Sequence, residues 1–82
     1  MSTSLQKQVG QNIRRHREKL KISQEAFADS IGMHRAYYGA VERGLRNLTL
    51  RNIDRIAEGL KVSPADLFVD MTSNNRARRE SS

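Results

Sequence analysis

The sequence predicts an all-α fold of five short helices in one small domain, and three observations carry that prediction. Apolar residues recur at three- and four-residue spacing and nowhere alternate with period two, which argues against strands. Helix caps and glycines punctuate the chain at short intervals, at Ser23, Gly32, Gly44, Thr49 and Ser63-Pro64. A length of 82 residues suits a single domain, and a chain of this size buries only about 60 % of its unfolded surface.

The first helix is expected from about residue 5 to 21, where Val9, Ile13, Arg17 and Leu20 form its inner stripe. Ser23 is the N-cap of a second, carrying Phe27, Ala28 and Ile31 inward and stopping at Gly32. The third runs from about 35 to 43, with Tyr38 and Val41 on its inner face, and ends at Gly44. Thr49 caps the fourth, whose Ile53, Ile56, Ala57 and Leu60 share a face. Ser63 followed by Pro64 opens a fifth, with Leu67 and Phe68. The folded domain is expected over residues 1–71, and the polar stretch 72–82 is expected to be a disordered basic tail.

Composition excludes several function classes. There is no cysteine, which removes disulfides, thiolate metal sites and cysteine nucleophiles together. His16 and His34 are far apart and have no ligand-like neighbours, so neither a metal nor another cofactor is expected. No apolar run reaches the roughly 20 residues of a membrane span, and the chain reads as soluble and cytoplasmic. No nucleophile–base arrangement or phosphate loop is present, so an enzyme is not expected. Fifteen basic residues against nine acidic ones give a formal charge of +6, which favours a polyanionic partner. The excess is uneven: residues 1–21 hold six basic groups against Glu18 alone, whereas residues 22–50 balance.

Ser23 to Gly44 has the pattern of two short helices joined by a tight, glycine-containing turn. Gly32 supplies the turn, Ala28 the small contact, and Phe27, Ile31, Met33, Tyr38 and Val41 the inward set. The second helix of this pair is then expected to present Arg35, Ala36, Tyr37 and Ala40 outward. Early positions of such a helix reach base edges when it enters a major groove.

The stretches SQEAFADSIGMHRAYYGAVERG and RNLTLRNIDRIAEGLKVSPADLF resemble the Cro/lambda-repressor-like, or Xre-type, helix-turn-helix DNA-binding domain. The resemblance covers roughly residues 9–69, and RAYYGAVERG with RNLT looks most like restriction–modification controller proteins. It departs at Tyr38, where the family usually has Ile or Val, and at His34, where Ser or Thr usually caps. It implies a compact five-helix lambda-repressor-like fold and a transcriptional regulator that binds double-stranded DNA as a homodimer.

The expected DNA contacts are Gln24, His34, Arg35, Ala36, Tyr37, Arg43, Arg46 and Asn47. Arg35 is the expected base reader, because its fork matches guanine O6 and N7. Gln24 opens the second helix, where side chain and helix N-terminus can both meet a phosphate. Arg17 lies in an apolar stripe and needs a partner, and relatives imply a structural ion pair with Glu42. Glu25 and Asp29 form an unfavourable i,i+4 acidic pair, and the resemblance suggests they contact RNA polymerase. Leu67, Phe68, Val69 and Met71 are the expected dimer surface, in a segment of low net charge. Two rivals stand beside this reading. One is an antitoxin of the same fold whose partner is a toxin protein; the other is a basic helix lying on an anionic membrane.

Overall fold

Polar caps start every element after the first, and the bonds they make set where the chain turns. The computed structural model describes residues 4–69. It contains four α-helices: α1 (Ser4–Lys19), α2 (Gln24–Ser30), α3 (Arg35–Glu42) and α4 (Leu50–Leu60). A 3-10 helix, Pro64–Phe68, follows them. The Ser23 and Thr49 hydroxyls each accept an N–H at 3.1 Å, from Ala26 and Asn52 respectively. His34 does the same work for α3, its Nδ1 accepting from the Ala36 N–H at 3.3 Å. Left-handed backbone at Gly32 and Gly44, with φ of 69° and 77°, closes α2 and α3 without a Cβ penalty.

The expected fifth α-helix is instead the 3-10 helix. Pro64 removes one donor, and Ser63 and Asp66 spend theirs on a local cap, the Ser63 N–H donating to Asp66 Oδ2 at 3.1 Å. The segment's carbonyls look outward to α1. Asn12 Nδ2 donates to the Leu67 and Val69 oxygens at 2.9 and 2.6 Å, and Gln8 Nε2 to that of Phe68 at 2.9 Å. A five-residue segment anchored this way never builds an i→i−4 ladder.

Val9 and Ile13 of α1, Phe27 and Ala28 of α2, Tyr38 and Val41 of α3, and Ile53, Ile56, Ala57 and Leu60 of α4 fill one core with Met33 and Leu67. Phe27 and Tyr38 meet as tilted rings with centroids 5.3 Å apart. The inner stripe of α1 ends at Arg17, since the helix stops at Lys19 and Lys21 turns left-handed, leaving Leu20 exposed. Residues 70–82 lie outside the described residues, and with them Met71 and the expected tail. Among the described residues no helix is long and apolar enough to cross a membrane.

Candidate nucleic-acid interface

The turn between α2 and α3 sets the start of α2 against the end of α3, where Gln24 meets Glu42, and exposes one face of α3. Arg35, Gly39 and Arg43 are spaced i, i+4 and i+8, so they line that face, with Ala36 beside them. Arg35, Ala36 and Arg43 are exposed, whereas Gly39 is buried, with the side chains of Gln24 and Arg43 over it. Beyond α3, Arg46 and Asn47 are exposed as well. The Arg46 guanidinium sits 5.9 Å from the Tyr37 ring centre, a cation–π distance.

Arg35 does not project freely. Its Nε and Nη2 donate to the two Asp29 oxygens at 3.2 and 2.8 Å, and its Nη1 lies 3.5 Å from Glu25 Oε1. The acidic pair of α2 therefore faces an arginine across the turn. The Asp29 hydrogen bonds raise the Arg35 pKa and hold the Asp29 carboxyl below its ordinary value.

Behind this face Arg17 and Glu42 pair inside the protein. Arg17 Nε meets Glu42 Oε2 at 2.6 Å, Nη2 meets Oε1 at 3.1 Å, and Nη1 donates to the Ile22 carbonyl at 2.7 Å. Gln24 Nε2 adds a bond to Glu42 Oε1 at 2.9 Å. One carboxylate thus ties together the end of α1, the start of α2 and the end of α3. Burial pushes the Glu42 carboxyl up, but hydrogen bonds from Arg17 and Gln24 and the Arg17 charge outweigh it, and its pKa falls below the usual value. The Tyr38 hydroxyl is buried beside this pair without a hydrogen bond of normal geometry. Burial first, then the Glu42 charge, push its ionisation far above the ordinary phenol range.

A helix-turn-helix family model matches residues 13–67, which span α2, the turn and α3. The chain belongs to the helix-turn-helix family. It is 38 % identical over 76 residues to Control protein C.BamHI of Bacillus amyloliquefaciens, covering 92 % of this chain and 94 % of that one. It is 42 % identical over 55 residues to Control protein C.MunI of a Mycoplasma species, covering 67 % and 74 %. Among solved structures it resembles the restriction-modification controller protein C.AhdI from Aeromonas hydrophila, with a TM-score of 0.73 and 42 % identity over 76 % of this chain and 94 % of that one. Controller protein C.Esp1396I, solved as a tetramer in complex with its natural 35 base-pair operator, matches with a TM-score of 0.73 and 32 % identity, covering 80 % and 87 %.

Three expectations are corrected within this helix-turn-helix protein. Leu67 is fully buried in the core, because Asn12 pulls its carbonyl against α1, so it is absent from any dimer surface. Ala40 faces inward. Tyr37 is half-buried: its hydroxyl donates to the Asn47 carbonyl at 3.2 Å and accepts from Asn52 Nδ2 at 3.3 Å. Phe68 is exposed, and Val69 half-buried.

Sequence reasoning missed a polar recess of about 300 Å³ lined by Lys7, Gln11, Arg14, Gln24, Glu42 and Arg43. Lys7, Gln11 and Arg14 follow the helical i, i+4, i+7 spacing, a signal present in the sequence but dispersed among other charges. Gly39 was missed too. A glycine inside a helix has no conformational need to be there, and this one lets the Gln24 and Arg43 side chains close over α3. Among the described residues no group of acids and histidines could hold a metal.

Proposed function

We propose that this chain is a cytoplasmic, helix-turn-helix transcriptional regulator that binds an operator in double-stranded DNA as a homodimer, as a restriction–modification controller. The exposed face of α3 carries this reading: Arg35, Ala36 and Arg43 lie along it, with Gln24, Arg46 and Asn47 at its borders. Set in a major groove, the Arg35 guanidinium matches guanine O6 and N7, and the Ala36 methyl suits a thymine methyl. Gln24, Arg43, Arg46 and Asn47 bind phosphates and fix the docking angle. Tyr37 acts indirectly, bracing Asn47 and stacking under Arg46, while His34 contributes by capping α3.

A single α3 reads few base pairs, so a two-fold pair of modules addresses two half-sites about one helical turn apart. The dimer surface uses Phe68 and Val69, next to an apolar groove of about 330 Å³ lined by Leu5, Val9, Leu48 and Phe68 among others. C.Esp1396I assembles on its operator as a tetramer, which supports oligomeric binding here. The action is regulatory rather than enzymatic. Glu25 and Asp29, the two acidic residues of α2 suited to an RNA polymerase contact, both face Arg35.

Selection of bound duplexes from a random double-stranded pool, with the wild type and Arg35→Ala in parallel, tests this. The expected result is an inverted repeat that Arg35→Ala relaxes at one base pair per half-site. Salt-sensitive binding with no enriched motif would overturn it.

A further inference from the structure

We propose that Asp29 is a specificity-determining positioning residue: its carboxylate grips one edge of the Arg35 guanidinium and turns the other edge toward a guanine. The inference rests on the reading of α3 as the base-reading helix.

A guanidinium carries five N–H groups in a plane. Asp29 takes the edge formed by Nε and Nη2, with contacts of 3.2 and 2.8 Å. Nη1 and the second N–H of Nη2 form the outer edge, two parallel donors spaced for guanine O6 and N7. Glu25 touches that edge only loosely, at 3.5 Å, so a base can displace it while the Asp29 grip persists.

Stability does not account for the arrangement. Both side chains are more than half exposed, at 57 % for Arg35 and 55 % for Asp29, and exposed ion pairs add little to folding. Arginine also has many rotamers, and an unheld one would have to be ordered on binding. A bidentate clamp across the turn orders it beforehand, which favours the one base whose edge fits. The same carboxylate repels phosphates, so it lowers binding to every sequence alike. Removing Asp29 therefore moves two quantities in opposite directions: preference for guanine falls, and affinity for unrelated DNA rises.

Dissociation constants of the full chain on the selected operator, and on duplexes changed at the Arg35-read base pair, supply the test. The proteins are the wild type, Asp29→Ala, Arg35→Ala and the double variant, each checked by circular dichroism. Asp29→Ala is expected to cut the base preference on the order of tenfold, a share of what a bidentate arginine provides. In the Arg35→Ala background the same change should leave preference untouched. Equal tightening by Asp29→Ala on every duplex, with preference intact, would mean simple charge repulsion and overturn the proposal. An Arg35→Ala protein with unchanged preference at every position would instead refute the base-reading assignment beneath it.

Discussion

Arg17 and Glu42 join α1 to α3 by a two-point contact of 2.6 and 3.1 Å, with Glu42 almost wholly removed from water and Arg17 nearly so. Such a pair contributes little net stability over a well-packed apolar pair, yet breaking it leaves one buried charge alone. Arg17→Met is therefore expected to lower unfolding free energy by about 3–5 kcal/mol. The double variant Arg17→Met, Glu42→Leu should recover most of that loss. Urea denaturation of the three proteins checks both expectations, and a double variant no better than the single one contradicts the account.

Acid acts through the same carboxylate. The Glu42 pKa is depressed below its ordinary 4.5 in the folded protein. The stability it contributes is complete above the unfolded value and disappears as pH falls through the folded one. Glu42→Gln mimics the protonated state at every pH. The stability gap between wild type and Glu42→Gln should thus be widest near neutrality and shrink steadily below the ordinary carboxylate range. Asp29 is present in both proteins and cancels from the comparison. A gap that stays constant into acid would show that Glu42 does not titrate with folding.

Two glycines that look alike in the sequence should respond differently to alanine. A Cβ at Gly10 would lie 2.5 and 2.6 Å from the Val41 and Glu42 carbonyl oxygens, which belong to α3 backbone and cannot step aside. At Gly59 the nearest atoms are side chains, Cγ2 of half-buried Ile31 at 2.5 Å and the ring of buried Phe27 at 3.1 and 3.2 Å. Alanine gains about 1 kcal/mol of helix propensity at either position. Gly10→Ala is expected to destabilise by about 1–3 kcal/mol despite that gain, and Gly59→Ala to destabilise less, because side chains rather than backbone must shift. Thermal unfolding of both variants decides it.

Local chemistry was legible in the sequence and distant chemistry was not. Ser23, Thr49 and Ser63 announce helix starts because a cap bonds within three residues of itself, and Gly32 and Gly44 announce turns for a similar reason. The burial of Leu67 depends on Asn12, fifty-five residues away in the chain, and periodicity carries no trace of that bond. Tyr37 and Ala40 lie at the margin of α3, where a helical wheel cannot say how far the neighbouring Asn52 and core residues reach. On the candidate interface, the exposure of Arg35, Ala36 and Arg43 follows from helical spacing alone. The Asp29–Arg35 contact does not, because it spans a turn whose angle only the fold provides.

Asn12 offers a separate test of how the 3-10 helix is held. It is buried, and its amide reaches two carbonyls that otherwise have no helical partner, those of Leu67 and Val69. Asn12→Leu leaves both oxygens desolvated and is expected to cost about 1–3 kcal/mol. Leucine keeps the γ-branched skeleton of asparagine and loses its donors, so urea denaturation of Asn12→Leu reads chiefly the lost bonds.

Gly39 separates folding from binding most directly. A Cβ there meets Arg43 Nη1 and Gln24 Oε1 at 3.4 Å, an ordinary van der Waals distance, so alanine fits without disturbing the core. Replacing a mid-helix glycine should then stabilise the fold by about 0.5–1 kcal/mol. The added methyl, however, lies beneath the Gln24 and Arg43 side chains and alters how they project toward DNA in the proposed complex. Gly39→Ala is expected to unfold at higher urea and to bind the selected operator more weakly. If operator affinity holds while stability rises, α3 does not lie in the groove by this face; if stability falls, the glycine is structural after all.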